Sequence, residues 1–200
     1  NMKNNKKSAV DKYGLCLNEY KNNNNNAKVY YDRATGKSPE MEVSKAMANF
    51  LDQKTKKDDK ILDVGCATGH FYRSIKKKIK KNFFYTGTDP YSIFLDKARI
   101  AWKKEKNVNF VKGNIYNLPF KKNEFDISFC SNVFIHLNDV KKPLKEIFRV
   151  TQKTTILTIN LGGINISSSK YLLNIIYQLE GLYKEKFKVR IRWVYKNGED

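Results

Sequence analysis

The chain has 200 residues, enough for one domain with a buried core, and its 40% hydrophobic and 30% charged residues are those of a globular protein with no membrane-spanning run. Cys16, Cys66 and Cys130 are widely spaced; with only two histidines they form neither a disulfide framework nor zinc-site spacing, so no metal is expected and the expected setting is a reducing cytoplasm. The formal charge of +19 raises nucleic acid as a partner, but lysine outnumbers arginine 33 to 6 and 22 asparagines accompany it. A-rich codon usage alone produces that pairing, whereas groove and phosphate recognition favours arginine's fork. A solvated lysine surface is the expectation, with RNA kept as the alternative.

Residues 1–28 are rich in Asn and Lys and poorly periodic, without the apolar block of a secretory leader, and read as a polar, mobile N-terminal arm. Residues 29–200 read as one domain. Tyr30 and Tyr31, followed by small residues, are placed to fold over a pocket. Ser38, Pro39 and Glu40 carry the pattern of an N-cap, a first-turn proline and a first-turn acid. Val43, Ala46, Met47, Phe50 and Leu51 then recur at helical spacing.

Ile61, Leu62, Asp63 and Val64 lead into Gly65-Cys66-Ala67-Thr68-Gly69, and His70-Phe71 opens a new helical pattern. This is the grammar of a buried parallel strand, a tight turn and a helix N-terminus. The glycines let backbone lie against a ligand, and unpaired N–H groups at the helix start face an anionic or polar group. Phe71, Ile75 and Ile79 form one stripe; residues 83–89 read as a second strand ending on Asp89, with Pro90 and Tyr91 directly after. Asp89 stands 20 residues past Gly69, the spacing at which nucleotide-binding α/β units place an acid against ribose hydroxyls. A helix through Phe94, Leu95, Ala98 and Trp102, strands at 108–111, 125–130 and 155–161, and a helix at 140–150 complete an alternating pattern. Another helix is predicted over 171–179. An edge strand at 187–195 and a turn at Asn197-Gly198 leave a closing antiparallel hairpin incomplete.

The residues 63–69 resemble motif I (D-x-G-x-G-x-G) of the class I S-adenosylmethionine (SAM) dependent methyltransferases, with Ala67 at the middle glycine. Gly113-Asn114 with Leu118-Pro119-Phe120 resembles their G-D-x-x-x-L-P-F loop, with Asn114 for the acid, and Glu146-Ile147-Phe148-Arg149-Val150 resembles their E-x-x-R-V segment. The resemblance spans roughly residues 31–161. It implies a Rossmann-like, doubly wound α/β fold with a mostly parallel sheet and an N-terminal helical cap. It also implies SAM as cofactor, S-adenosyl-L-homocysteine as product, and methyl transfer to an oxygen or nitrogen of a small molecule such as a sugar or metabolite. The implied cofactor residues are Tyr31, Asp63, Gly65, Cys66, Ala67, Gly69, His70, Phe71, Asp89, Pro90, Tyr91, Asn114, Ile115, Asn132 and Val133. Asn114 would offer its carbonyl to the adenine amino group, Tyr30 or Tyr31 would cap the site, and His136 is the candidate base. An RNA methyltransferase and a non-catalytic SAM-binding subunit are the alternatives.

Overall fold

The computed structural model describes residues 24–137 and 139–158, with five helical positions between 173 and 180. In chain order the elements are α1 (Asn24–Thr35), α2 (Glu42–Lys54), β1 (Asp59–Val64), α3 (His70–Lys78), β2 (Phe83–Asp89) and α4 (Ser92–Ala101). After them come β3 (Val108–Lys112), β4 (Phe125–Ser131), a 3-10 turn (Phe134–His136), α5 (Lys141–Val150) and β5 (Thr151–Thr158). The five strands form one sheet in the order β3-β2-β1-β4-β5, and all four pairings are parallel. This is the Rossmann-like arrangement. The chain walks outward from β1 through β2 to β3, then returns to β4 and walks the other way, so the switch point lies between β1 and β4.

The chain divides into two compact units, residues 1–160 and residues 161–200. In the second unit Leu173, Ile176, Tyr177, Leu179 and Glu180 are helical, as the apolar spacing predicts. The predicted strand at 187–195 and the hairpin turn lie outside the described residues.

One core joins Met47 and Leu51 of α2, Phe71 and Ile75 of α3, and Leu95 and Ala98 of α4 to Ile61, Tyr85, Ile127 and Phe129 of the sheet. Burying each large apolar side chain stabilises the fold by roughly 1.5–3 kcal/mol. Right-handed crossovers then put α5, which links β4 to β5, on the opposite face; Leu144, Ile147 and Val150 are its fully buried side chains.

Several boundaries differ from the sequence reading. Helix α1 begins at Asn24, inside the expected mobile arm, because Ala27 packs against Ala67 and Phe94 with no surface exposed. Helix α2 begins at Glu42 with Met41 as its cap, so Ser38 and Pro39 do not start it. The Arg73 guanidinium holds that segment outside the helix, donating to Arg33 O (2.9 Å) and Ser38 O (2.8 Å), while Glu40 accepts from Ser74 and Lys77. The buried face of α2 is Ser44, Met47, Ala48 and Leu51, and Ala46 is exposed. Strand β5 starts four residues earlier than expected, at Thr151. Thr151 Oγ1 lies 2.6 Å from both Ile147 O and Ser128 Oγ, joining the end of α5 directly to the sheet.

Candidate active site

The ends of β1 and β2 are tied together by backbone. Gly65 N and Cys66 N both donate to Thr88 O, at 2.8 and 3.0 Å. Gly65 has φ +79°, and a Cβ there would stand 2.2 Å from Val133 Cγ2, so only glycine lets the turn lie this close to the segment after β4. Gly69 has φ +67° at the N-cap of α3 and no side chain caps the helix, which leaves its opening N–H groups for a ligand. Ala67 takes φ +47°, a left-handed conformation more usual for the glycine that the motif carries there.

The acid of β2 faces this turn. Asp89 Oδ2 accepts from Ala67 N (3.1 Å) and Oδ1 from Tyr91 N (3.0 Å), so the carboxylate links the turn after β1 to the turn after β2. Burial pushes its pKa up to about 6 against those two N–H donors. Asp63, one residue before the end of β1, is buried beside Tyr85. It accepts a 2.5 Å hydrogen bond from Tyr85 Oη inside the core, and burial pushes its pKa up to about 7. It is therefore a core acid, not a side chain lining the cleft.

A cleft opens at the switch point, lined by Val64, Gly65, Thr88, Pro90, Gly113, Ile115 and Val133. Four of these, Gly65, Pro90, Ile115 and Val133, belong to the sequence-predicted set. Val64, Thr88 and Gly113 do not; strand alternation could have placed Thr88 there, since Thr86 and Thr88 share a side of β2. Thr88 Oγ1 is buried without a hydrogen-bond partner, a polar atom awaiting one.

Other predicted residues are placed differently. The Cys66 and Phe71 side chains lie in the core cluster, so only their backbone remains at the turn. The Asn114 carbonyl oxygen accepts from Tyr116 N (3.0 Å), closing the loop on itself instead of pointing an open acceptor at a ligand. That loop is clamped by the E-x-x-R-V segment. Leu118 N donates to Glu146, and Arg149 donates to Glu146 and to the carbonyls of Leu118 and Phe120. Two motifs that look independent in sequence are thus one hydrogen-bonded unit.

Tyr31 turns toward Lys37 and Lys97, whose ammonium groups lie 6.0 and 5.5 Å from its ring. Tyr30 stacks on His70 at 4.9 Å between centroids. His70 is buried, neither ring nitrogen has a partner, and burial reinforced by Arg33 drives its pKa down to about 3, so the ring is neutral. Tyr91 packs edge-on against Phe94. Asn132 takes φ +58° and donates its N–H to Thr158 O (2.9 Å), turning the chain out of β4. His136 is half-buried in the 3-10 turn that follows Val133. Among the described residues no cluster of His, Cys, Asp and Glu could hold a metal, and no helix is long and apolar enough to cross a membrane.

The family model described as "Methyltransferase domain" matches residues 62–159, the span that contains the sheet, the turn and the cleft. This match supports a class I SAM-dependent methyltransferase. Among its relatives, an uncharacterized methyltransferase of Schizosaccharomyces pombe is 36% identical over 113 residues, covering 52% of this chain and 40% of the relative. The ubiquinone/menaquinone biosynthesis C-methyltransferase UbiE of Campylobacter jejuni is 32% identical over 149 residues, covering 69% of this chain and 62% of the relative. The chain thus spans less than two thirds of the length of these relatives. Phosphoethanolamine N-methyltransferase 2 of Haemonchus contortus, solved with S-adenosyl-L-methionine, shares the fold at a TM-score of 0.64 and 18% identity, over 90% of this chain and 44% of that one.

The family's cofactor fits the residues present. Backbone close to the turn, an uncapped helix N-terminus, the unpartnered Thr88 hydroxyl and the apolar walls of Pro90, Ile115 and Val133 match a ligand with polar ends and a flat aromatic base.

Proposed function

We propose that this methyltransferase binds SAM in the cleft at the switch point and methylates an oxygen or nitrogen of a small molecule, a sugar or metabolite. The observation that carries the reading is Asp89. It is a buried carboxylate that bridges the Gly-rich turn and the turn after β2, and it retains lone pairs beyond its two backbone bonds. In this reading it accepts from the ribose hydroxyls. Pro90 and Ile115 flank the base, and the backbone of residues 65–70 holds the amino-acid end. Tyr30, stacked on His70, closes the side under α1.

The bound cofactor supplies an electrophilic methyl on a sulfonium. The chain's contribution is to align the acceptor and keep water out. His136, three residues past the cleft-lining Val133, takes the acceptor's proton in this proposal. A second reading follows from the likeness to the UbiE protein, namely carbon methylation of a hydroquinone ring. It needs the same cofactor site and a base for the ring hydroxyl.

Calorimetry with SAM and S-adenosylhomocysteine tests the cofactor site. Saturable binding that Asp89→Ala weakens supports it, and no binding by folded protein removes it. An acceptor screen with methyl-labelled SAM, divided into hydroxyl, amine and hydroquinone pools, then separates the two readings.

A further inference from the structure

Because the five described strands are all parallel, they begin at one edge of the sheet, opposite the cleft. The connectors that feed that end differ from those that leave the strands at the cleft. Residues 76–82, entering β2, hold five lysines and no acid. Residues 52–60, entering β1, hold four lysines against three aspartates; residues 102–108, entering β3, hold three lysines against Glu105. Residues 121–126, entering β4, add two lysines and two acids, which makes the four connectors fourteen lysines to six acids, a formal +8. The connectors that leave the strands at the cleft end (residues 63–70, 88–92, 112–119 and 131–142, counted into the first turn of α5) carry three aspartates and three lysines, a formal charge of zero. Uniform codon bias would spread lysine over both ends. It does not account for the asymmetry.

All fourteen lysines are exposed. The acids among them are largely engaged already: Lys153 pairs with Asp59 (2.8 Å) and Asp126 (2.7 Å), Lys76 pairs with Glu105, and Glu124 accepts from Lys121 N. Lys153 adds a positive charge outside the sum, while Lys77 is paired with Glu40, so the end stays strongly positive. Helices α2, α3, α4 and α5 also end here, and lysines do offset helix dipoles. At about half a charge per C-terminus, four helices call for a compensation of roughly +2, well short of what is present.

We propose that this lysine end is a docking face for an anionic lipid surface. The choice of partner follows from the side chains. None of the four connectors contains an arginine, and the nearby Arg149 is spent on Glu146, Leu118 and Phe120. Lysines act as point charges and sum their attraction to a negatively charged bilayer without needing geometry. Recognition of a phosphodiester backbone favours the bidentate fork that is missing here. Docked this way, the protein turns its cleft toward water, so the face serves location and leaves the acceptor route open.

The test is vesicle flotation of the full chain with phosphatidylcholine alone and with added phosphatidylserine. The protein should float only with phosphatidylserine, and high salt should release it. Lys80→Glu with Lys104→Glu should reduce the bound fraction about tenfold, by the general strength of lysine–anionic lipid attraction. Lys141→Glu with Lys142→Glu, the same charge change at the other end of the molecule, should leave it nearly unchanged. Absence of flotation with phosphatidylserine overturns the proposal, and so does an equal loss in both double variants. Tighter binding to an RNA homopolymer than to these vesicles at matched ionic strength overturns it in favour of a nucleic-acid face. Circular dichroism of both variants confirms that the exposed substitutions leave the fold intact.

Discussion

Asp63 and Asp89 stand at the ends of neighbouring strands, follow similar apolar runs and look alike in sequence, yet they face different environments. Asp63 is turned into the core and held by Tyr85 Oη at 2.5 Å. Asp89 is turned to the cleft end and holds the two turns together through Ala67 N and Tyr91 N. The two acids share a face of the sheet and differ in depth, since Asp63 pairs with Gly87, two residues before Asp89 on β2. Tyr85 reaches across on that side, and α2 and α3 cover it. An acid at a strand end is a necessary feature of such a site, and the neighbour it meets decides its role.

The largest expected effect comes from the turn that the two acids border. Gly65→Ala would place a methyl 2.2 Å from Val133 Cγ2 at a positive φ, so we expect a loss of about 2–4 kcal/mol in thermal or denaturant unfolding. SAM binding by calorimetry should be abolished. If Gly65→Ala binds SAM normally, the close approach of the two segments is not what shapes the cleft.

Next is Asp89→Ala, which should weaken SAM binding about 100-fold, the scale of lost hydrogen bonds to a charged group. With a pKa near 6 in the free protein, Asp89 is mostly ionised above that pH; affinity should therefore fall as pH drops below about 6. A flat affinity from pH 5 to 8 argues against the carboxylate as the ribose acceptor.

Asp63→Asn sharpens the contrast, since SAM affinity should barely change while stability moves with pH. The folded pKa of Asp63, about 7, lies above the unfolded value near 4, so its favourable contribution is complete below pH 4 and is lost as pH rises toward 7. The amide, which does not titrate, should remove that slope and raise stability at pH 8 by about 1–3 kcal/mol, measured by urea unfolding at both pH values. Equal loss of SAM binding in the Asp63 and Asp89 variants would erase the distinction between the two acids.

The smallest effect concerns the helix over the site. Arg73→Gln removes two bonds to the carbonyls of Arg33 and Ser38 and should cost about 1 kcal/mol. Hydrogen exchange should quicken in α1 while the sheet stays protected.

Much of the fold is legible along the chain. Strand β2 falls where its apolar run and terminal acid put it, and the stripes Phe71/Ile75/Ile79 and Phe94/Leu95/Ala98 all go inward. The early part is less legible: residues 24–27 look like solvated polar arm until Ala27 meets Ala67 and Phe94. Nothing local in Ser38-Pro39-Glu40 announces that Arg73, 35 residues further on, will claim the Ser38 carbonyl.

By itself, the sequence determined the alternation of strand and helix, the Gly-rich turn and the identity of the two strand-end acids, because periodicity and glycine's backbone freedom are local properties. Only the tertiary structure decided that Asp89 and not Asp63 ties together the two turns beside the cleft, that Tyr30 and not Tyr31 stacks on His70, and that the lysines of the described connectors gather where the strands begin. Each of those depends on which part of an element meets which neighbour, and that is settled by register, helix rotation and long-range hydrogen bonds that no window of sequence contains.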